Sequence, residues 1–326
     1  MNKKIWTLSE ERNVTLTGYF YEDNDEYQKG IKRPLIIVCP GGGYTFLSER
    51  EADPIALRYV SAGFNAAVLR YGIVDYAVAP GPLNDVAGAI KLMRELSDSL
   101  FIDKDSIFIC GFSAGGHVAG QIGVFWNNEE LLPEYKDNFE MIKPNGLILG
   151  YPVLDLKAST KALDFGAGLD RDINKLEFGT LHPDIPKERI FVRNEEKGKY
   201  LVDFELAMNA FIFGGDYTSK EEDKYCLQNF VSSDTPPTFL WHCAGDNLIY
   251  PSNSLDFASA LAKAGVDYEL HIYNGGGHGI ATADYKTTND PNQYYEAAEG
   301  WLDLSIAWIN RVCGYKDKII DKYVKQ

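Results

Sequence analysis

Apolar and polar positions along the chain follow two alternating patterns. Short apolar runs rich in Val, Ile and Leu predict β-strands, and between them apolar side chains recur every three or four positions, which predicts amphipathic helices. The predicted strands are 14–21, 34–40, 65–71, 106–110, 146–153, 238–243 and 268–273. The predicted helices are 84–100, a segment that begins after Ala114, 252–264 and 297–312. Strands and helices that alternate in this way predict an α/β fold, with a mostly parallel central sheet and helices on both faces.

One long segment interrupts this alternation. Residues 156–235 separate the fifth and sixth predicted strands without a clear strand–helix unit, and they hold a charged stretch at 187–199 and one apolar patch at 206–213. Connections of this length inside a compact domain usually form lids or insertions with helices of their own. We therefore expect a single domain over 1–326 that carries a lid or cap inserted at 156–235. The last dozen residues are rich in Lys and Asp and are expected to form a solvated tail.

The charge balance argues against several classes of partner. The chain has 32 Lys and Arg against 47 Asp and Glu, which gives a formal charge of −15. A protein that tracks phosphates needs a basic face, so we expect no nucleic-acid partner. The same charge argues against an anionic membrane as a partner. No apolar stretch approaches the length of a transmembrane helix.

The N-terminus and the cysteines bear on the compartment. The two lysines near the start are followed by acidic residues before any apolar segment develops, so we expect no signal peptide and a cytoplasmic location. Three of the five cysteines, Cys39, Cys110 and Cys243, lie in or beside predicted strands, where buried free thiols are the simplest interpretation. The chain has no C-x-x-C pair, so we expect no metal site.

The most specific motif is G-x-S-x-G over residues 111–115, with Ser113 at its centre. It directly follows a predicted strand and directly precedes a predicted helix. A turn this tight needs flanking glycines, holds the serine in a strained conformation and exposes its hydroxyl above the sheet. We therefore predict that Ser113 is a nucleophile. The alternative is a glycine-rich turn with an incidental serine.

A serine nucleophile needs a base, and the chain has five histidines. His278 follows the strand predicted at 268–273 and lies in the loop N-G-G-G-H-G-I, whose glycines let the imidazole reach over a neighbouring strand. We predict that His278 is the base; the alternative is a histidine in a surface turn. Packed or surface imidazoles are the simpler interpretation of the other four, His117, His182, His242 and His271.

The acid that orients the base should also lie at the end of a strand. Asp246 follows the strand predicted at 238–243, and that strand should neighbour the one before His278. The rival candidates are Asp155 and Asp216. Asp246 is favoured, and the chain order Ser113, Asp246, His278 is then the one expected for α/β-hydrolases.

The glycine run at 41–43 follows a predicted strand and is the candidate oxyanion hole. Glycine amides are unscreened by side chains, so the N–H groups of Gly42 and Gly43, together with that of Ala114, could hold a developing oxyanion. The run does not fit a phosphate-binding loop, because no Lys-Ser or Lys-Thr follows it. It also lacks the third glycine of a dinucleotide fingerprint.

With these motifs together, the chain resembles the carboxylesterase/acetyl esterase family of the α/β-hydrolase superfamily, the group described as acetyl-xylan esterase-like or "esterase/lipase" proteins. The matching stretches are 40–44, 111–117, 149–153, 236–246 and 275–279. The resemblance implies the α/β-hydrolase fold and the roles just given to Ser113, Asp246 and His278. It also implies the oxyanion donors named above. Pro40 stands where hormone-sensitive-lipase relatives usually have His, which points to the acetyl esterase branch.

The expected function is that of a serine carboxylesterase that hydrolyses short-chain, above all acetyl, esters of carbohydrates or small alcohols without a cofactor or metal. Tyr44 is the expected substrate contact, and Tyr151 and Trp241 lie beside the motifs, although aromatic residues there usually pack in the core. The expected partner is a small-molecule ester, with an acetylated sugar as one candidate, and a homodimer stays open. The alternatives are a peptidase, formamidase or lipase on the same fold, or an inactive hydrolase fold that serves as a binding module.

Overall fold

The computed structural model describes residues 1–288 and 290–324, and within them the chain forms eleven β-strands and nine α-helices. The strands are β1 (Asn2–Ser9), β2 (Val14–Phe20), β3 (Arg33–Cys39), β4 (Asn65–Arg70), β5 (Ile102–Phe112), β6 (Gly146–Gly150), β7 (Leu163–Gly168), β8 (Phe191–Asn194), β9 (Lys199–Val202), β10 (Thr238–Cys243) and β11 (Tyr268–Tyr273). The helices are α1 (Asp53–Ser61), α2 (Gly81–Glu95), α3 (Ser113–Phe125), α4 (Lys187–Ile190), α5 (Phe204–Phe213), α6 (Ser219–Asp223), α7 (Ser252–Ala264), α8 (Trp301–Cys313) and α9 (Tyr315–Tyr323).

Eight strands form the central sheet in the order β1-β2-β4-β3-β5-β6-β10-β11. The six strands from β4 to β11 pair in parallel, whereas β1 and β2 are antiparallel at one edge. The predicted α/β class and mostly parallel sheet are therefore confirmed. Strand β1 was not predicted, because an edge strand exposed along much of its length carries lysines instead of a continuous apolar run.

The sheet is covered on both faces, which explains the continuous apolar runs in its strands. Along β3, Leu35 and Ile37 join the apolar cluster on one face, and Ile36 and Val38 join the cluster on the other. The first cluster contains buried side chains of α2, α3 and α7, and the second contains those of α1 and α8.

Residues between β6 and β10 form a small sheet of their own. Its strands are antiparallel, in the order β7-β9-β8, and its apolar side chains form a third cluster around Ile190, Phe191 and Val202. Helix α5 lies between this cluster and the main core: Ala210 belongs to the former and Phe211 to the latter. The apolar patch predicted at 206–213 is thus a helix that joins the inserted segment to the core.

Most predicted boundaries agree with the structure within two residues, and the larger differences are in β5, β6, α2 and α8. Strand β6 ends at Gly150 instead of 153, and α8 begins at Trp301 instead of 297. Strand β5 is longer at both ends than predicted, and α2 begins earlier and ends earlier, because Pro82 suits its first turn. Residues 315–323 of the expected solvated tail form α9, and most of its residues are exposed, as expected. Tyr315 at its start is buried and accepts a 2.7 Å hydrogen bond from Arg33 Nη1. Among the described residues, no helix is both long and apolar enough to cross a membrane.

Candidate active site

The three residues predicted to act together all follow strands of the central sheet at its carboxyl edge. Ser113 begins α3 directly after β5, Asp246 lies three residues beyond β10, and His278 lies in the loop after β11. Because β5, β6, β10 and β11 are adjacent and parallel, their carboxyl ends open on the same crevice, where α/β proteins bind ligands. The topology therefore brings residues far apart in sequence to one place.

The turn at Ser113 has the strain that the motif predicts. Ser113 has φ of 51°, in the left-handed region that a side chain rarely adopts. The turn is tight enough that a Cβ at Gly115 would lie 2.1 Å from the carbonyl oxygen of Cys39, so glycine is required there. The hydroxyl of Ser113 is consequently held at the N-terminus of α3. This end of the helix dipole is positive and favours negative charge.

The structure joins Ser113, His278 and Asp246 by two short hydrogen bonds. His278 Nε2 lies 2.8 Å from Ser113 Oγ, and His278 Nδ1 lies 2.7 Å from Asp246 Oδ2. In the neutral imidazole, Nδ1–H donates to the carboxylate and Nε2 accepts from the serine hydroxyl. This is the geometry that a serine nucleophile, its base and an orienting acid require, and the three roles stay predictions.

The electrostatics of the pair suit that arrangement. Burial lowers the pKa of His278, but the charge and hydrogen bond of Asp246 outweigh burial, and the net effect raises the pKa. Burial raises the pKa of Asp246, but the charge of His278 and the hydrogen bonds from His242 and His278 outweigh it and hold the pKa well below its usual range. Asp246 therefore stays ionised, and His278 is a stronger base than an isolated imidazole.

His242 is a residue of this site that the sequence analysis treated as an ordinary core histidine. It is fully buried on β10, with Nε2 3.2 Å from Asp246 Oδ2 and 3.0 Å from the carbonyl oxygen of Ile249. Its Nδ1 lies 2.9 Å from Ser254 Oγ. Asp246 Oδ2 thus has a second imidazole partner besides His278. The signal in the sequence is the spacing H-x-x-x-D across the end of a strand.

The rival acids, and the histidine that is nearest to Ser113 in sequence, have other partners. Asp155 accepts a 2.9 Å hydrogen bond from Gln228 Nε2, and Asp216 is ion-paired with Arg189. His117 packs beside the site, as predicted. It is fully buried, and burial lowers its pKa to about 4, so it stays neutral.

The glycine loop after β3 lies against the same crevice. A Cβ at Gly42, where φ is 137°, would lie 2.0 Å from the carbonyl oxygen of Phe46, so this turn also requires glycine. Within the part of the chain that the structure describes, the N–H groups of Gly42 and Gly43 donate to no acceptor. The N–H of Ala114 lies in the first turn of α3, where amides have no acceptor within the helix. These three groups could receive an oxyanion, and that role stays a prediction.

Tyr44 is not a substrate contact, and this prediction is wrong. Its side chain is 1% exposed, and its hydroxyl lies 2.7 Å from His117 Nδ1. The backbone of Tyr44 has φ of 63°, and its ring packs edge-on against the rings of Tyr71 and His117. Tyr151 and Trp241 are also fully buried, 4.9 Å apart between ring centroids, as aromatic residues of the core.

A cavity of about 570 Å³ opens above Ser113 and His278. One wall consists of the glycine loop and the residues that follow it. The opposite wall comes from the segment between β6 and β10, where it consists of Phe178, Gly179, Thr180, Phe204, Ala207 and Met208. The charged side chains on the lining, besides His278, are Arg50 and Glu51, and neither was singled out from the sequence. Within residues 1–288 and 290–324, no group of three or more His, Cys, Asp or Glu side chains could hold a metal ion.

Two family models match different parts of the chain. The model described as BD-FAE matches residues 24–179, and that of the prolyl oligopeptidase family matches residues 208–303. The first range contains Ser113, and the second contains Asp246 and His278. Each match therefore includes only part of the hydrogen-bonded set formed by Ser113, His278 and Asp246.

Two curated bacterial proteins are similar over most of this chain. Endo-1,4-beta-xylanase B of Butyrivibrio fibrisolvens is 26% identical over 86% of the chain and 38% of that protein. Acetylxylan esterase of Xylanibacter ruminicola is 24% identical over 82% of the chain and 45% of that protein. The chain thus spans less than half the length of either relative.

A solved structure matches over nearly the full length of both chains. The carboxylesterase Cest-2923 from Lactobacillus plantarum WCFS1 has a TM-score of 0.74 and 25% identity, and the match covers 97% of this chain and 98% of that one. Its likeness extends to the sheet, the flanking helices and the segment between β6 and β10.

Proposed function

We propose that this chain, which belongs to the α/β-hydrolase superfamily, is a serine carboxylesterase that hydrolyses short-chain esters, acetyl esters above all, of carbohydrates or small alcohols. The observation that carries the proposal is the hydrogen-bonded line from Ser113 through His278 to Asp246 beneath an open cavity. Free amides of Gly42 and Gly43 beside the same cavity complete the parts that acyl transfer needs.

In the first step, Ser113 Oγ attacks the ester carbonyl carbon while His278 Nε2 takes the hydroxyl proton. The N–H groups of Gly42, Gly43 and Ala114 stabilise the oxyanion of the tetrahedral intermediate. As that intermediate collapses, the bond to the alcohol oxygen breaks, and His278 returns the proton to the leaving alcohol. Asp246 keeps Nδ1 protonated and stabilises the imidazolium cation.

In the second step, water enters where the alcohol left. His278 Nε2 takes a proton from the water, whose oxygen attacks the acyl carbon of the acyl-serine. The second tetrahedral intermediate expels Ser113 Oγ, which recovers its proton from His278. The carboxylic acid leaves, and the site returns to its starting state.

The acetyl preference is supported by the similarity to an acetylxylan esterase. The cavity volume of about 570 Å³ is within the usual range for small-molecule sites and exceeds what an acetyl group fills. We therefore assign most of the cavity to the alcohol half of the substrate. The hydroxyls of Thr45, Ser48 and Thr180 on its lining are the groups available to a sugar.

The test is the rate of hydrolysis of p-nitrophenyl esters from acetate to laurate, followed by release of acetate from acetylated xylo-oligosaccharides. A kcat/KM that is highest for acetate and falls with chain length supports the proposal. A maximum at longer chains would retain the serine esterase and overturn the acetyl preference.

A second candidate is hydrolysis of peptide or other amide bonds, which the match to the prolyl oligopeptidase family over residues 208–303 favours. A matched pair of substrates, an acetyl ester and the corresponding acetanilide, separates the two functions. Faster cleavage of the amide would favour this candidate.

An inactive binding module stays the alternative outside enzymes, and titration with an organophosphonate decides it. Failure to form an adduct on Ser113 of the folded protein would support the module. The cytoplasmic location and a homodimer stay predictions from the sequence.

A further inference from the structure

We propose that Glu51 is a positioning residue of this site, because its buried carboxylate ties the glycine loop of the proposed oxyanion hole to the loop that carries His278. The contacts stand on their own, whereas their effect on the reaction rests on the proposed function. Glu51 takes no part in the acyl-transfer steps described above.

The carboxylate of Glu51 holds the start of the glycine loop. Glu51 lies on the 3₁₀ turn Glu49–Glu51, and its side chain is 2% exposed. Its Oε2 accepts a 2.8 Å hydrogen bond from the N–H of Gly41. The N–H of Gly41 is therefore engaged by the carboxylate, whereas Gly42 and Gly43 line the cavity with N–H groups that donate to no acceptor among the described residues.

The other carboxylate oxygen of Glu51, Oε1, is linked through the hydroxyl of Tyr151 to the loop that carries His278. The hydroxyl of Tyr151 donates to Glu51 Oε1 at 2.6 Å, and its oxygen accepts from the N–H of Ala281 at 2.9 Å. Ala281 lies three residues beyond His278, in the same loop. The ring of Tyr151 also packs edge-on against the imidazole of His278, with the centroids 5.0 Å apart.

Two of the residues linked by these hydrogen bonds, Tyr151 and Ala281, have unfavourable backbone conformations. Tyr151 has φ of 35° and Ala281 has φ of 51°, and neither is glycine. Such conformations persist only where surrounding contacts fix them, and they cluster at functional sites. The hydroxyl that joins Tyr151 to Glu51 also bonds Ala281, so one buried carboxylate supports both strained positions.

Glu51 also acts on His278 through its charge. The charged groups that face His278 are Asp246 from the loop after β10, and Glu51 and Arg50 from the turn after the glycine loop. Tyr151 and Ser113 face it as neutral groups, because burial raises the pKa of Tyr151 well above its usual value. The charge of Glu51 raises the pKa of His278 because it favours the imidazolium cation, and the charge of Arg50 lowers it. Arg50 Nη1 donates a 2.8 Å hydrogen bond to the carbonyl oxygen of Gly279, which fixes Arg50 to the loop that carries His278.

The decisive variant is Glu51→Gln, which keeps the shape and removes the charge and one acceptor. We expect kcat for p-nitrophenyl acetate to fall about 10²-fold, the effect of a small misplacement of reacting groups, with KM changed far less. Loss of the negative charge lowers the pKa of His278, so the acid limb of kcat/KM against pH should move to lower pH. A role confined to stability would leave that limb in place.

Three further variants separate charge from geometry. Glu51→Asp keeps the charge but is one methylene shorter. The acid limb of kcat/KM should therefore stay at its wild-type pH, while kcat falls below the wild-type value. Tyr151→Phe keeps the ring and the carboxylate but breaks the bridge to Ala281, and it should also lower kcat without moving the limb. Glu49→Gln is the matched control: it removes an exposed carboxylate on the same turn, one that pairs with Arg70, and should leave kcat and the limb unchanged.

The rates are expressed per active site, counted by organophosphonate titration, and the histidine signals are followed by NMR with His278→Gln for assignment. A Glu51→Gln protein with wild-type kcat per site and an unmoved pKa of His278 would overturn the inference. If Glu51→Gln does not fold, wild-type kcat in both Glu51→Asp and Tyr151→Phe would overturn it instead. If the wild type hydrolyses no ester, the proposed function fails, and the NMR pKa of His278 in the two proteins still decides the role of Glu51.

Discussion

Two regions meet at the cavity, and they are built in different ways. The strands β3, β5 and β10 are largely buried, β11 is the partly exposed edge strand beside them, and Ser113 and Asp246 after β5 and β10 are 7% and 3% exposed. The wall from the segment between β6 and β10 rests on a three-stranded sheet with a small apolar cluster, and Gly179 and Thr180 on it are exposed. If the proposed function is correct, we expect the core to fix the reacting groups and the segment between β6 and β10 to select the substrate, because precise geometry needs rigid support.

The largest expected effect is in the core, with Ser113→Ala. Removal of the nucleophile should lower kcat by roughly 10⁴- to 10⁶-fold, since base and acid then have nothing to activate. The measurement is the initial rate on p-nitrophenyl acetate, with Ser219→Ala, an exposed serine in α6, as the control. Equal rates in Ser113→Ala and the wild type would show that the reaction takes place elsewhere.

The next largest effect is expected from Asp246→Asn, which keeps the shape of the side chain and removes its charge. kcat should fall by about 10⁴-fold, because the imidazole loses the partner that fixes its tautomer. Asp246 raises the pKa of His278, so its loss should move the acid limb of kcat/KM to lower pH. A full pH profile measures both quantities, and an upward shift of the limb would contradict the assigned pairing.

A smaller effect is expected from Gly42→Ala in the glycine loop. The added Cβ would lie 2.0 Å from the carbonyl oxygen of Phe46, so the loop must move and the proposed oxyanion donor with it. Loss of one such donor lowers kcat by about 10²- to 10³-fold. Gly300→Ala, where a Cβ meets nothing within 4 Å, is the control. Wild-type kcat in a folded Gly42→Ala protein would remove Gly42 from the reaction.

The smallest expected effect is in the inserted wall, with Phe178→Ala. The ring lines the cavity and packs against Phe204, so its removal enlarges the site without touching the reacting groups. We expect the ratio of kcat/KM for butyrate over acetate to rise by about 10-fold, the scale at which apolar pockets discriminate, with the acetate rate changed little. Phe230→Ala, a partly exposed ring in the same segment outside this cavity, is the control. A large fall in kcat/KM for the acetate ester, with no change in the butyrate-to-acetate ratio, would contradict the expectation that this wall affects selectivity and not the reacting groups.

Prediction from the sequence worked best where a local pattern has one physical meaning. Strands β10 and β11 and helix α7 have the predicted bounds, since short β-rich runs bounded by turn residues and amphipathic helices leave clear patterns. Strands β7, β8 and β9 were missed. They are short: β7 and β8 are partly exposed with few apolar positions, and β9, although buried, has only four residues, too few to show a period. Tyr44 was misassigned because its position beside the glycine loop does not say which way the ring turns.

The amino-acid sequence alone was enough to predict the α/β class and to predict that Ser113, Asp246 and His278 would meet at one site. Local chemistry fixes these: a serine between glycines after a buried strand, and His278 and Asp246 after strands that had to be neighbours. Only the tertiary structure decided that His242 and Glu51 contact this machinery and that Tyr44 does not. The physical reason is that a buried polar group must find a partner, and the partner of Glu51, Tyr151, lies 100 residues away along the chain. Such pairings depend on how strands and loops pack, which no local pattern encodes.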